Sequence, residues 1–142
     1  MKISAKTDYA YRALLELALH WPNIEPLQVR TIAERQKIPV KFLIHILIHL
    51  KELGFVDSIR GKKGGYVLAK SPQEIRLSDL AKPFMELGTQ NQSVGAKTKA
   101  NNVFVNIWQN IDELILEQMN KITFEEVCRK ERNLMKVQMY TI

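Results

Sequence analysis

The stretch from Arg30 to Tyr66 constrains this chain more than any other. Thr31 to Gln36 reads as a short helix with Ile32 and Ala33 turned inward, and Lys37-Ile38-Pro39 breaks it. Pro39 disfavours the α region for the residue before it and suits the first turn of a new helix. The apolar spacing predicts that helix over Val40 to Leu53. Phe42, Leu43, Ile46, Leu47, Leu50 and Leu53 share one face, and Gly54 stops it. Phe55–Ile59 and Tyr66–Ala69 read as strands, joined by Arg60-Gly-Lys-Lys-Gly-Gly65, a turn with three cations. Two short helices on a tight turn, followed at once by a basic hairpin, make a winged helix-turn-helix. Its second helix suits a DNA major groove.

That docking mode sets the expected contacts. Val40 and Lys41 lie in the first turn of the second helix, and His45 comes one turn later, within reach of a base edge or a phosphate. Arg30 and Thr31 stand where the first helix of the pair begins and are expected to hold phosphate. In the wing, Arg60, Gly61, Lys62 and Lys63 are expected at the minor groove and backbone. Gly61, Gly64 and Gly65 are read as positions that allow positive φ and a narrow tip. Ile44 and Ile48 occupy a face that should be wet, where they meet thymine methyls or another part of a dimer. His49 is expected to be solvated or capping.

Charge supports this placement. Residues 1–87 hold 14 Lys/Arg against 9 Asp/Glu, whereas residues 88–142 hold 7 against 6. The cationic excess therefore sits with the helix-turn-helix, where phosphate neutralisation needs it. An apolar share of 46% is ordinary for a globular protein, and no apolar run approaches a membrane span. The start of the chain lacks the apolar core of a signal peptide, so a cytoplasmic protein without a membrane partner is expected. Nothing reads as catalytic. His20, His45 and His49 are not spaced with carboxylates or the cysteine as an acid–base or nucleophilic set. His45 and His49 form an i, i+4 pair without a third ligand, so no metal site is assigned. The single cysteine, Cys128, excludes an internal disulfide. It is expected to be partly buried, with Arg129 and Lys130 able to lower its pKa.

Flanking segments complete a mainly α organisation. Ser4 is placed to cap a first helix over Ala5–His20, with Tyr9, Ala13, Leu14, Leu17 and Ala18 on its inner face. Pro22 to Leu27 is a connector, and Gln28 is a poor cap for the helix after it. Ser71-Pro72 makes a turn. Ser78 is expected to cap a helix from Asp79 to Leu87, ended by Gly88. Residues 89–102 are polar and without period, a surface loop between a DNA-binding domain over 1–88 and a dimerisation segment over 103–142. In that last segment Val103–Asn120 is the longest helix, with Phe104, Ile107, Trp108, Ile111, Leu114, Ile115 and Gln118 recurring at helical steps. The stripe runs about 27 Å and is expected to pair across a two-fold axis with a second copy. Thr123 and Glu126 form a capping box for a short helix to about Lys130. Leu134 to Ile142 shows only a weak alternation.

Several of these segments resemble the Rrf-two family of bacterial winged-helix transcription regulators. They are Met1-Lys-Ile-Ser, Tyr9 with Arg12-Ala13-Leu14, Ile32–Gln36, the wing Arg60–Tyr66, Ile75–Asp79, and Trp108 with Ile122–Glu126. The resemblance spans nearly the whole chain. It implies a homodimer joined by the long helix, binding a near-palindromic site in double-stranded DNA, most often as a repressor; an effector, small molecule or partner protein, is left open. Iron–sulfur members of the family carry three cysteines in the segment matching 89–102. This chain has none there, and Asn102 stands six residues before Trp108 at a usual ligand position. The resemblance is thus to the cluster-free branch, without a cofactor. One alternative is a cluster-bearing sensor in which Ala96, Ala100 or Asn102 replace ligand cysteines; another is a protein-interaction winged helix that does not bind DNA.

Overall fold

A computed structural model describes residues 2–22, 25–85, 87 and 103–140. The fold is mainly helical, with a small wing. Helix α1 spans Ala5–Leu19, and the Ser4 hydroxyl caps it by accepting from the Thr7 N–H at 3.2 Å. Helix α2 spans Val29–Gln36 and α3 spans Val40–Glu52. The turn between them places Lys37 in the left-handed region (φ 53°) and buries Ile38 against the core. Strands β1 (Val56–Ile59) and β2 (Gly65–Leu68) pair antiparallel, Val56 opposite Leu68 and Ile59 opposite Gly65.

A 3-10 turn, Pro72–Glu74, then leads into α4, Leu77–Leu80. The expected cap Ser78 lies inside this helix. Instead the Asp79 carboxylate accepts from the Arg76 backbone N–H at 2.8 Å. The expected α-helix to Leu87 also gives way to a π-helical turn over Ala81–Met85. Pro83 has no N–H to donate to the preceding turn, and a widened turn accommodates the gap. Helix α5 spans Val103–Asn120 as expected. Helix α6 runs Phe124–Tyr140, well beyond Lys130. Residues 131–140 hold good helix formers and neither Gly nor Pro, which outweighs the weak alternation at Val137 and Met139. The loop expected over 89–102, including Ala96, Ala100 and Asn102, lies outside the described residues, as do Gly88 and the two C-terminal residues.

The core forms where α1 lies against α2 and α3. Ala10, Ala13 and Leu14 meet Ile32, Leu43, Leu47 and Leu50, all essentially without exposed surface. Each buried leucine or isoleucine contributes about 1.5–3 kcal/mol. Two residues assigned to the inner face of α3 lie outside it: Phe42 is 48% exposed and Leu53 38%. Phe42 sits at the edge of the stripe, beside Tyr9, and Leu53 is already the helix's C-cap.

The start of α6 completes the same core. Phe124 and Cys128 are buried in it, and the Phe124 ring stacks on Tyr11 at 6.2 Å. Backbone bonds stitch this junction to the segment before α4: Leu77 N–H to Ile122 O (2.9 Å) and Phe124 N–H to Ile75 O (2.8 Å). Cys128 is fully buried rather than partly so, and burial pushes its thiol up to about 11. The lowering expected from its basic neighbours is the smaller effect, and it comes from Arg132. Burial, helped by Asp79, likewise raises the Tyr11 hydroxyl far above its ordinary value. That hydroxyl donates to Leu77 O at 2.6 Å.

Candidate nucleic-acid interface

Helix α3 presents two faces. Leu43, Ile46, Leu47 and Leu50 hold it against the core, while Val40, Lys41, Ile44, His45 and Ile48 remain exposed. The Lys41 ammonium lies 5.0 Å above the Phe42 ring, a cation–π contact that holds it over the first turn. Ile44 and Ile48 are both exposed as expected, leaving an apolar strip beside these polar groups. His49 departs from its expected solvated or capping role. Its ring is half-buried against Phe84, 5.0 Å between centroids. His45 and His49 therefore have different surroundings and do not act as a pair.

The wing is joined to α2 more closely than the sequence pattern indicates. Leu27 N–H donates to Tyr66 O at 2.9 Å, and Tyr66 N–H returns a bond to Leu27 O at 2.8 Å. The connector thus adds a one-residue third rung to the sheet. Glycine at 65 is required there. Its φ is +154°, and a Cβ would collide with the Leu27 carbonyl oxygen. Gly64 is needed for a different reason than positive φ: a Cβ would strike the Ile59 carbonyl oxygen across the turn. Gly61 does adopt positive φ, at +118°. The Gln28 side chain donates to Lys62 O at 3.4 Å, a further tie between the wing tip and the start of α2.

As a result Arg30 and Thr31 begin their helix beside the wing that carries Arg60, Lys62 and Lys63. The sequence pattern missed Leu27 and Gln28 as the residues that join them. The signal was Gly65, directly before Tyr66, a glycine beyond those at 61 and 64 that serve the turn.

The start of α2 has no side-chain cap, so its first backbone N–H groups remain available to an anion. Among the described residues the ion pairs of lysine and arginine are Arg12–Asp8 and Arg35–Glu16, and the His20 ring lies 3.5 Å from Glu16. They leave Arg30, Lys41, Arg60, Lys62 and Lys63 open. At the other end of α3, Lys51 Nζ donates to Ser58 Oγ at 2.6 Å and ties that helix to β1.

Helix α5 forms a second surface. None of its residues is buried; Phe104 and Trp108 are each 54% exposed and stack at 6.1 Å. Ile107, Ile111 and Leu114 extend the apolar face, and Ile115 is half-buried. Its C-terminal end is tied to the segment around α4: Asn120 accepts from Arg76 Nη1 through its carbonyl at 2.8 Å, and its side chain bonds Ser78 Oγ at 3.0 Å.

A family model described as Rrf2, iron-dependent transcriptional regulator, matches residues 3–130. The chain belongs to the Rrf2 family. It is 33% identical over 140 residues to a Synechocystis sp. protein named as an HTH-type transcriptional regulator, covering 94% of this chain and 91% of that one. It is 29% identical to the regulator IscR of Pectobacterium carotovorum, covering 94% of this chain and 83% of that protein. Among solved structures, IscR of T. potens superposes with TM-score 0.74 at 27% identity, over 92% of this chain and 88% of that one. CymR of B. subtilis, titled the global cysteine regulator, gives 0.73 at 25% identity, over 92% and 98%. This Rrf2 protein is a DNA-binding transcriptional regulator of the winged-helix type, and no helix among its described residues is long and apolar enough to cross a membrane.

The iron in the family's description finds no thiolate set here. Cys128, the one cysteine, is buried in α6 against α1, and residues 88–102 contain no Cys, His, Asp or Glu. Iron–sulfur clusters are held by cysteine thiolates, with histidine in some, and amide or methyl groups do not replace them. Among the described residues no group of three or more His, Cys, Asp or Glu is gathered.

Proposed function

We propose that this Rrf2 protein is a homodimeric repressor of the cytoplasm that occupies a near-palindromic promoter site. Residues 1–88 form its DNA-binding domain, 89–102 the connecting loop, and 103–142 the dimerisation segment. Lys41 and His45, with Val40 beside them, meet the bases or the phosphates next to them. Arg60, Gly61, Lys62 and Lys63 track the minor groove and backbone. Arg30 and Thr31, at the uncapped start of α2, hold a phosphate. Occupying the promoter is itself the repression.

One observation carries the reading: the Leu27–Tyr66 rung joins the wing to the start of α2, so open cations on two elements form one rigid surface. The apolar face of α5, unburied in a single chain, supports pairing through Phe104, Ile107, Trp108, Ile111, Leu114, Ile115 and Gln118. Selection from a random duplex library tests the whole proposal. Enrichment of inverted repeats supports a two-fold dimer, and enrichment of single half-sites removes it.

The donor set favours a regulator that carries no cluster. Protein purified without oxygen from the native gene is expected to be colourless and free of iron. Brown protein with stoichiometric iron and sulfide would return the signal to iron or redox chemistry.

A further inference from the structure

A cleft of about 310 Å3 opens between the first turns of α1 and the outer side of α3. Ala5, Tyr9, Phe42 and Ile46 form its apolar walls, and Lys6 and His45 are its polar groups. The Tyr9 and Phe42 rings lie 6.4 Å apart, tilted by 30°. This volume and lining are those of a small-molecule site: mostly apolar, with a few polar groups to orient the ligand.

Basic groups predominate around it. The Arg12 guanidinium lies 5.6 Å from the Tyr9 ring centroid, and Lys41 covers Phe42. Asp8, the acidic residue of the same turn of α1, is held by Arg12 at 2.8 Å. Lys6 and His45 carry no ion pair among the described residues. An apolar slot flanked by aromatic rings and bordered by unpaired basic groups suits a flat apolar anion.

We infer that this cleft is an effector site for an aromatic carboxylate. The ligand's ring lies against Tyr9, Phe42 and Ile46, and its carboxylate meets Lys6 and His45. The inference rests on the DNA-binding role proposed for His45. Helix α3 supplies both Phe42 and His45 to the cleft, so a carboxylate there places negative charge where DNA phosphate would come. Ligand and DNA then oppose each other, each lowering the other's affinity by the same factor.

The test uses the full-length protein with 2-naphthoate as probe and 2-naphthamide as its neutral counterpart. Ala5→Phe, which fills the cleft, and Lys6→Gln, which removes its cation, lie outside the proposed DNA contacts. Naphthoate is expected to bind saturably, the amide about tenfold more weakly. Lys6→Gln should weaken naphthoate binding, and Ala5→Phe should abolish it. Saturating naphthoate should lower duplex affinity about fivefold or more in the wild type and leave Ala5→Phe unmoved.

Equal binding of acid and amide, or naphthoate binding unchanged in Lys6→Gln, overturns the anion class. No saturable binding overturns the site, as does a change of sedimenting mass in Ala5→Phe, which would make the cleft a contact between copies. Duplex binding without probe is measured separately. Its failure would remove the DNA reading and the coupling drawn from it, while the probe titration still decides whether the site exists.

Discussion

At Gly65 the chain has no room for a methyl group, because the Leu27 carbonyl already occupies the space. Gly65→Ala must therefore break the Leu27–Tyr66 rung or strain the backbone. We expect a loss of about 1–3 kcal/mol in denaturant unfolding, together with weaker duplex binding as the wing separates from α2. Arg60 is exposed and unpaired among the described residues, so its replacement tests contact rather than folding. Arg60→Ala should cost about 1–3 kcal/mol of specific affinity in a binding titration while leaving the melting temperature in place. Unchanged affinity would remove the wing from the mechanism.

Cys128 makes a third residue-level prediction. The unfolded thiol ionises near 9.0, the folded one only at about 11. Its contribution to stability is whole below the lower value and is lost as pH rises through the upper one. Across that window Tm should fall more steeply for the wild type than for Cys128→Ala. At neutral pH the buried thiol should resist alkylation until the protein unfolds.

Among the elements, the exposed face of α5 gives the sharpest expectation. Trp108→Asp introduces charge at the middle of that face without touching the core, since none of the helix is buried in one chain. Sedimentation should show monomers in place of dimers, with circular dichroism unchanged; a persistent dimer would move the interface elsewhere.

The elements also show which parts of the fold the residue pattern discloses. Helices α1, α3 and α5 were legible because long apolar periodicity and definite stops, such as Gly54, leave little choice. The cap at Ser78 misled because the helix already begins at Leu77, and the Asp79 carboxylate accepts from the Arg76 N–H instead. The π-turn at Pro83 and the extension of α6 to Tyr140 depend on backbone accommodation and summed propensity, neither of which shows as a period. Of the candidate interface, the exposed cations at Arg60, Lys62 and Lys63 were plain from their turn. The rung through Leu27 was hidden, because a one-residue pairing across the connector leaves no alternation to read. His49 was misplaced because its partner, Phe84, is distant in the chain and comes to it only through the fold.

For the whole molecule, binding should be electrostatic in its salt response and geometric in its spacing. Log affinity for duplex should fall linearly with log salt, and removing one phosphate-binding lysine, as in Lys63→Ala, should reduce the slope by about 1. In the proposed dimer, two recognition helices about 34 Å apart would meet successive major grooves on one side of the duplex. Inserting about five base pairs between half-sites turns them to opposite sides and should abolish dimer binding.

The bonds at the C-terminal end of α5 carry a mechanical meaning. Its fulcrum is the bridge between Arg76 and Thr123 and the bonds of Asn120, all at the C-terminal end. From there the helix runs its full length of about 27 Å to Val103. A rotation of about 10° at the fulcrum sweeps that tip through about 5 Å. A displacement at Val103 is thus geared down to a small, forceful rotation beside α4.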